Sequence, residues 1–364
     1  MAFHLLSGLN TLPGIDLFVV LLNKDRLSDD LENVGISTFV LDEGKRSFPE
    51  IVRLVAKAVR GRAPHILHSH RYKENILSYL VSITLREKAV LVSTQHGMPE
   101  LYDARPSLLH RLKSYANYRL LATRFDKTVA VSADIKQSLI RDYGFQEERL
   151  ETIHNGIVIP ELRDRAGEKD GFVIGSAGRF VPVKDYLFMV EVAKEVSAKD
   201  HKIRFELAGD GPMLGDVQGL INKYGLEKGF KLRGFIHDVD TFYLGLDVYL
   251  NTSLHEGIPM SVLEAMAYGV PPIVPRVGGL GEIVTDGVDG YLVEARNPRV
   301  FAERCLSLHK NEILRRNMAR ATREKIIGQF SIERMVNAYL EMYMRTIENS
   351  GQGKRQRKFS RKSQ

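Results

Sequence analysis

The chain reads as an α/β protein built from two doubly wound domains facing across a cleft, and three observations carry that reading. Short β-branched runs alternate with helical patterns along nearly all of its length, which means parallel sheets covered on both faces. The alternation halts at a polar stretch, residues 161–170 (ELRDRAGEKD), and then begins afresh. A length of 364 residues suits two domains, each with a full core.

Taken in order, the first half offers strands at residues 17–22, 38–41, 65–68, 90–94, 128–132 and 150–154. Helical stretches at 49–60, 75–85 and 108–121 lie between them. Residues 1–160 are therefore the first domain and 161–170 the linker. The second half repeats the scheme with strands at 172–177, 203–208, 231–233, 248–250, 272–274 and 291–293, and helices at 311–328 and 331–345. Residues 171–330 make the second domain, 331–347 a last helix, and 348–364 a disordered basic tail.

Hydrophobic residues at 44% and charged residues at 27% are globular values. No apolar run approaches the roughly 20 residues of a membrane span, and residues 1–10 lack the basic start and cleavage site of a signal peptide. The expected compartment is the cytoplasm. The single cysteine, Cys305, falls in an apolar-periodic helix and reads as buried filler. Formal charge is +7, but the last fourteen residues (GQGKRQRKFSRKSQ) hold six Lys or Arg and no acid, leaving +1 for the rest. Such a tail is either solvated or a weak peripheral tether to the anionic inner face of a membrane. No nucleic-acid motif accompanies it.

The richest segment is residues 255–274 (HEGIPMSVLEAMAYGVPPIV). The strand at 248–250 ends at Asn251, Thr252 and Ser253, and Gly257 and Pro259 delay the next helix until Met260. Glu256 thus sits in a loop. From Met260 the pattern turns helical through Ser261 and Val262, and Glu264 leans back toward that loop. A helix start favours phosphate while flanking carboxylates accept from hydroxyls, so the pair suits a nucleotide sugar. A capped surface helix with solvated acids is the bland alternative.

The loop 178–185 (GRFVPVKD) follows the first strand of the second half. Gly178 lets backbone approach a ligand, and Arg179 and Lys184 can converge on a diphosphate, although two loop cations can also be surface charges. Gly209, in Ala208-Gly209-Asp210-Gly211-Pro212, forms a cleft wall. In Gly234-Phe235-Ile236-His237-Asp238, backbone after a strand can hold a base. Asp238-Val239-Asp240 has the acid-x-acid spacing of some metal sites, but a helix start explains both acids and no metal is expected. In the first half His96 follows a strand and precedes Gly97, projecting from a strand end into the cleft, while His68 reads as structural and His70 lies beside it. The motifs of zinc proteases, serine hydrolases and P-loop NTPases are missing.

Together, Gly178-Arg179 with Lys184, the Ala-Gly-Asp-Gly-Pro turn, the strand Asp247-Val248-Tyr249-Leu250, Glu256 to Glu264, Gly278-Gly279, Glu282-Ile283-Val284 and residues 286–293 (DGVDGYLV) resemble the retaining GT-B glycosyltransferases of family 4. The resemblance covers residues 64–345. It implies two Rossmann-like domains and transfer of a hexose or N-acetylhexosamine from a nucleoside diphosphate sugar, with uridine the default base and guanosine second. The acceptor implied is a saccharide or lipid-linked glycan of surface polysaccharide or lipopolysaccharide synthesis. It assigns Glu256 to donor-sugar hydroxyls, Glu264 to the ribose, Arg179 and Lys184 to the diphosphate without metal, and His96 to the space near donor sugar and acceptor. It implies front-face attack with retention, in which the departing phosphate oxygen helps deprotonate the acceptor, and a last helix that crosses back to the first domain. No cofactor beyond the donor substrate is implied.

One departure from the family pattern concerns the start. Family members open with a strand and a glycine-rich loop, then a helix, before the strand matched to residues 15–22; here residues 1–10 resemble the end of that helix. The first strand and loop are therefore expected to be missing, leaving an unpaired sheet edge. Two other functions stay open on this reading: a truncated relative that binds nucleotide without turnover, and a sugar-nucleotide epimerase or phosphorylase on the same architecture.

Overall fold

A computed structural model of the chain describes residues 1–97, 107–161 and 171–350. Most of the expected linker (162–170) and the basic tail from 351 onward lie outside the described residues. The described residues form two compact units, one of 1–97, 107–156 and 332–350, the other of 157–161 and 171–331.

The first unit opens with helix α1 (Ala2–Asn10) and continues β1 (Phe18–Leu21), α2 (Arg26–Asn33), β2 (Ser37–Val40), α3 (Phe48–Arg60), β3 (Ile66–Ser69), α4 (Tyr72–Ser82), β4 (Val90–Gln95), α5 (Leu108–Arg124), β5 (Lys127–Ala130), α6 (Ala133–Tyr143) and β6 (Leu150–Thr152). All pairings are parallel, but in two separate sheets, β1-β2 and β3-β4-β5-β6. The two sheets are joined by packing: Phe18, Val20 and Leu22 from the β1 segment and Leu67 of β3 lie against one cluster around Ile51, Val55 and Leu77. The strand expected at 128–132 ends two residues early, because the Ser132 hydroxyl caps α6 by accepting from the Ile135 amide at 3.1 Å. The Asp25 and Ser28 capping box starts α2, a helix too short and polar to stand out in the sequence.

Helix α14 (Ile332–Asn349) belongs to this unit. Its Met335, Val336, Tyr339 and Met342 are buried with Leu5 and Leu9 of α1 and with Val92 and Val129 of the sheet. Apolar residues at helical spacing thus close one face of the four-stranded sheet.

The second unit runs β7 (Val173–Ala177), α7 (Tyr186–Ser197), β8 (Arg204–Ala208), α8 (Leu214–Lys223), β9 (Phe230–Gly234), α9 (Val239–Gly245), β10 (Val248–Leu250), α10 (Met260–Ala267), β11 (Pro272–Pro275), α11 (Leu280–Ile283), β12 (Tyr291–Val293), α12 (Pro298–Lys310) and α13 (Glu312–Gln329). Its strands form one parallel sheet in the order β12-β11-β10-β7-β8-β9. The order reverses between β7 and β10, so the loops leaving those two strands diverge to opposite faces and open a crevice at their carboxyl ends. Cys305 is buried in the core beside Phe301 and Leu308, and burial pushes its thiol up to about 12. It is filler, as its periodic setting indicated.

Candidate active site

The crevice at the strand-order reversal is lined by the loops after β7 and β10, and hydrogen bonds to backbone carbonyls stitch the two together. The Leu254 amide donates to the Val183 carbonyl at 2.8 Å, and the Thr252 hydroxyl donates to the Lys184 carbonyl at 3.0 Å. Arg296 adds a clamp by donating to the Asp185 carboxylate and, at 3.0 Å, to the Thr252 carbonyl. Lys184 is thereby held against a residue 72 positions away: its Nζ lies 2.6 Å from Oε1 of Glu256. The same oxygen accepts from the Ser253 hydroxyl at 2.6 Å and from Asn251 Nδ2 at 3.4 Å. Glu256 is buried, so its charge depends on these three donors rather than on water.

Glycine makes the tight approaches possible. Gly209 holds φ +124°, and a Cβ there would stand 2.0 Å from the Gly178 carbonyl oxygen. Gly178 donates to the Ala208 carbonyl at 3.0 Å and Gly209 to the Gly234 carbonyl at 2.7 Å, so these three predicted glycines form one contiguous backbone wall. Gly278 holds φ +50°, and a Cβ on it would stand only 1.9 Å from the Glu256 carbonyl oxygen, so no side chain fits beneath the Glu256 loop. Arg179 is exposed beside this wall, and its guanidinium pairs with none of the described residues.

Helix α10 begins at Met260 as the sequence indicates, with Pro259 before it and no side chain capping its first amides. Gly257 and Val262 are buried, while Met260 and Ser261 are partly open. Glu264 is also partly open, and its Oε2 accepts from the Tyr243 hydroxyl at 2.7 Å. Tyr243 is buried, stacked on Tyr268 at 5.5 Å between ring centroids. Burial, with Tyr249 and Glu264 nearby, raises its phenol well above the ordinary value, so it acts only as a donor to that carboxylate. Phe235 is exposed, its ring 5.0 Å from His237, while Ile236 is half-buried. Both acids of the Asp238-Val239-Asp240 run have local duties: Asp238 caps α9 through the Thr241 amide at 3.0 Å, and Asp240 accepts from the Tyr268 hydroxyl.

In the first unit His96 follows β4, and its Nε2 faces Nδ1 of His70 at 3.1 Å with the rings stacked. His68 lies next in the row, its ring 4.4 Å from that of His70. Its nitrogens are both engaged, one by Tyr343 at 2.6 Å and the other by Thr94 at 2.9 Å, which is the structural role read from sequence. Burial, then the neighbouring His70, lowers His96 to about 3; burial lowers His70 to about 4. Both rings are neutral near pH 7, so one donates and the other accepts across that contact.

Residues 158–325 match the family glycosyl transferases group 1, and residues 2–159 match Glycosyltransferase Family 4. The chain belongs to the group 1, family 4 glycosyltransferases. The transferase is 24% identical over 343 residues to the UDP-Gal:alpha-D-GlcNAc-diphosphoundecaprenol alpha-1,3-galactosyltransferase of Escherichia coli, covering 86% of this chain and 88% of that one. It is 29% identical over 304 residues to the N-acetyl-alpha-D-glucosaminyl L-malate synthase of Bacillus anthracis, covering 79% and 77%. Its fold is GT-B, two Rossmann-like domains. It superposes on Anabaena HepE, solved with UDP-glucose, at a TM-score of 0.81 with 19% identity, covering 94% of this chain and 95% of that one.

Three contributors to the transferase's site were not singled out as site residues by the sequence. Ser253 and Asn251 share the Glu256 carboxylate, and Tyr243 holds Glu264. Ser253 and Asn251 stand at the end of β10, where a polar run after an apolar strand was a readable signal. Tyr243 lies 21 residues before Glu264 on another helix, and only the fold joins them.

Proposed function

We propose that this transferase moves a hexose or N-acetylhexosamine from a nucleoside diphosphate sugar to a saccharide or lipid-linked acceptor with retention, in surface polysaccharide or lipopolysaccharide synthesis. The observation that carries the proposal is the Lys184 to Glu256 pair at the reversal of strand order, where doubly wound sheets bind ligands. UDP is the favoured nucleotide and GDP the second, since the Escherichia coli relative is named for UDP-Gal and the Anabaena structure contains UDP-glucose.

Each group has a role it can perform. The exposed Arg179 and the Lys184 ammonium offset the charge that builds on the leaving diphosphate, with no metal in the scheme. The amides that open α10 add a partial positive charge there. Glu256, fixed by three donors through one oxygen, presents the other to sugar hydroxyls. Glu264, fixed by Tyr243 through Oε2, presents Oε1 to the ribose diol. Phe235 and the backbone at Gly234 and Ile236 flank the base. His96, a neutral ring supported by His70, serves the sugar and acceptor. The basic tail is a candidate tether to anionic membrane.

The test is transfer from UDP-glucose, UDP-galactose and UDP-N-acetylglucosamine, in chelator, to lipid-linked and free saccharides, with the product anomer read by NMR. An α-linked product formed without metal supports the reading. A β-linked product would overturn retention, and interconversion of the UDP-sugars without acceptor would favour an epimerase.

A further inference from the structure

Three histidines reach one face of the four-stranded sheet of the first unit by strand geometry. Side chains alternate along a strand, so His68 and His70 share a face, while Ser69 between them turns the other way and donates to Asn75 at 2.7 Å. β3 and β4 pair in parallel with His68 opposite Val92, and the same alternation carries that face through Thr94 to His96. The rings form a row: His68 and His70 lie 4.4 Å apart between centroids with a 33° tilt, and His70 and His96 5.4 Å apart at 20°. The two ends of the row differ. His68 is pinned at both nitrogens, by Tyr343 of α14 and by Thr94, and Thr94 is held in turn by Tyr339 at 3.0 Å. His96 is half-buried and, among the described residues, its ring makes one hydrogen bond, between its Nε2 and Nδ1 of His70 at 3.1 Å.

That contact decides what the other nitrogen of His96 can do. A neutral imidazole carries one proton, and a hydrogen bond at one nitrogen fixes where it sits. If Nε2 of His96 donates, its Nδ1 presents a lone pair; if Nε2 accepts, its Nδ1 presents an N–H. The same bond ties the two rings together, since both must then be protonated at Nε2 or both at Nδ1. Protonation at Nε2 is what a neutral histidine side chain favours by itself, and the arrangement in which His96 donates gives it to both rings. A half-turn of the His70 ring about χ2 would put carbon Cδ2 in the place of Nδ1 and break the bond. The fixed His68 ring, stacked on His70, opposes that turn.

We propose that His70 is a positioning residue for the transfer: it holds the His96 ring in one orientation and one tautomer, so that Nδ1 of His96 accepts a hydrogen bond from a substrate hydroxyl. The role in transfer rests on the reading of His96 given above, whereas the lock between the rings rests on the geometry alone. His68, with Tyr343 and Thr94 at its nitrogens, is the backing that keeps His70 in place.

The lock is read without substrate, by long-range proton–nitrogen NMR of the full chain labelled at its histidine nitrogens, with His96 assigned by the loss of its signals in His96→Gln. Near pH 7, where both rings are neutral, His70 and His96 should each show one tautomer, protonated at Nε2. In His70→Phe, which keeps a flat ring in the row, the two His96 nitrogens should move to averaged shifts. An asparagine amide reaches the place of a histidine Nδ1 and a glutamine amide that of Nε2, so His70→Asn should restore a single His96 tautomer and His70→Gln should not. That comparison stands by itself if the larger ring of phenylalanine disturbs the fold. Turnover is the second readout, with whichever of UDP-glucose, UDP-galactose and UDP-N-acetylglucosamine the wild type uses. It should fall about tenfold in His70→Phe and His70→Gln and return to within about threefold in His70→Asn, with UDP affinity unchanged in all three. A wild-type His96 averaged between tautomers, or one unaffected by His70→Phe, would overturn the lock, and protonation at Nδ1 would overturn its direction. Turnover lost in His96→Gln but full in His70→Phe would overturn the positioning role and leave His96 in the site. Full turnover in both would bring down the reading of His96 itself.

Discussion

Replacing Lys184 by Met separates two duties that meet in one side chain. The Nζ lies 2.6 Å from Glu256 Oε1, with Lys184 21% and Glu256 10% exposed at their side chains. Removing the ammonium leaves a buried carboxylate with two neutral donors, Ser253 and Asn251. A charged hydrogen bond contributes about 1.5 to 3 kcal/mol, and orphaning one member of a fully buried pair costs about 3 to 5 kcal/mol. With two donors kept and water within reach, a loss of about 2 kcal/mol is expected for Lys184→Met. Glu256→Gln should cost about 1 kcal/mol, because the freed ammonium can still reach solvent. The double variant should lose little more than Lys184→Met alone, giving a coupling of about 1 kcal/mol in a double-mutant cycle by urea denaturation. Calorimetry of UDP binding supplies the second readout: the cation contributes to the diphosphate as well, so affinity of Lys184→Met should fall about tenfold or more. A variant that loses the expected stability but keeps wild-type UDP affinity would show the pair to be structural only. Additive effects in the cycle would refute the coupling itself.

Gly278→Ala forces a left-handed φ on alanine and drives a Cβ into the Glu256 carbonyl, so stability should drop by about 3 kcal/mol with loss of nucleotide binding; a well-folded variant that binds UDP normally would contradict this. Tyr243→Phe removes the donor that fixes Glu264, and UDP affinity should fall about threefold to tenfold; equal affinity would release Tyr243 from its positioning role. His70 and His96 are held neutral in the fold to about 4 and about 3, mainly by burial, whereas the unfolded chain takes up their protons near the ordinary 6.5. The unfolded state thus binds more protons below that pH, so their contribution is complete above about 6.5 and is lost as pH falls toward 4. Urea midpoints should decline over that window, and less steeply in His70→Gln with His96→Gln; parallel declines would refute the assignment.

The sequence displayed the fold through periodicity. Strands such as β10 and β12 are short apolar runs closed by polar or glycine residues, and their limits could be read to the residue. Glycines 178 and 209 announced tight backbone, and Gly257 and Pro259 announced a loop before the helix start at Met260. Strand order was less accessible. The adjacency of β7 and β10 is a pairing across more than seventy residues, fixed by how the whole sheet packs. That adjacency is what presses Lys184 onto Glu256, a pairing that the reading of Lys184 as a diphosphate cation did not include. The stack of His70 on His96 arises in the same way, from the parallel pairing of β3 with β4.

The most direct test of the account is calorimetric titration of UDP, in chelator, into the wild-type chain and into Glu264→Ala. The account predicts metal-free binding that Glu264→Ala weakens by about 1 to 3 kcal/mol, as loss of hydrogen bonds from a carboxylate should. Equal affinity in the two proteins would contradict the ribose role, and failure of the wild type to bind UDP, GDP or ADP would contradict the donor site itself.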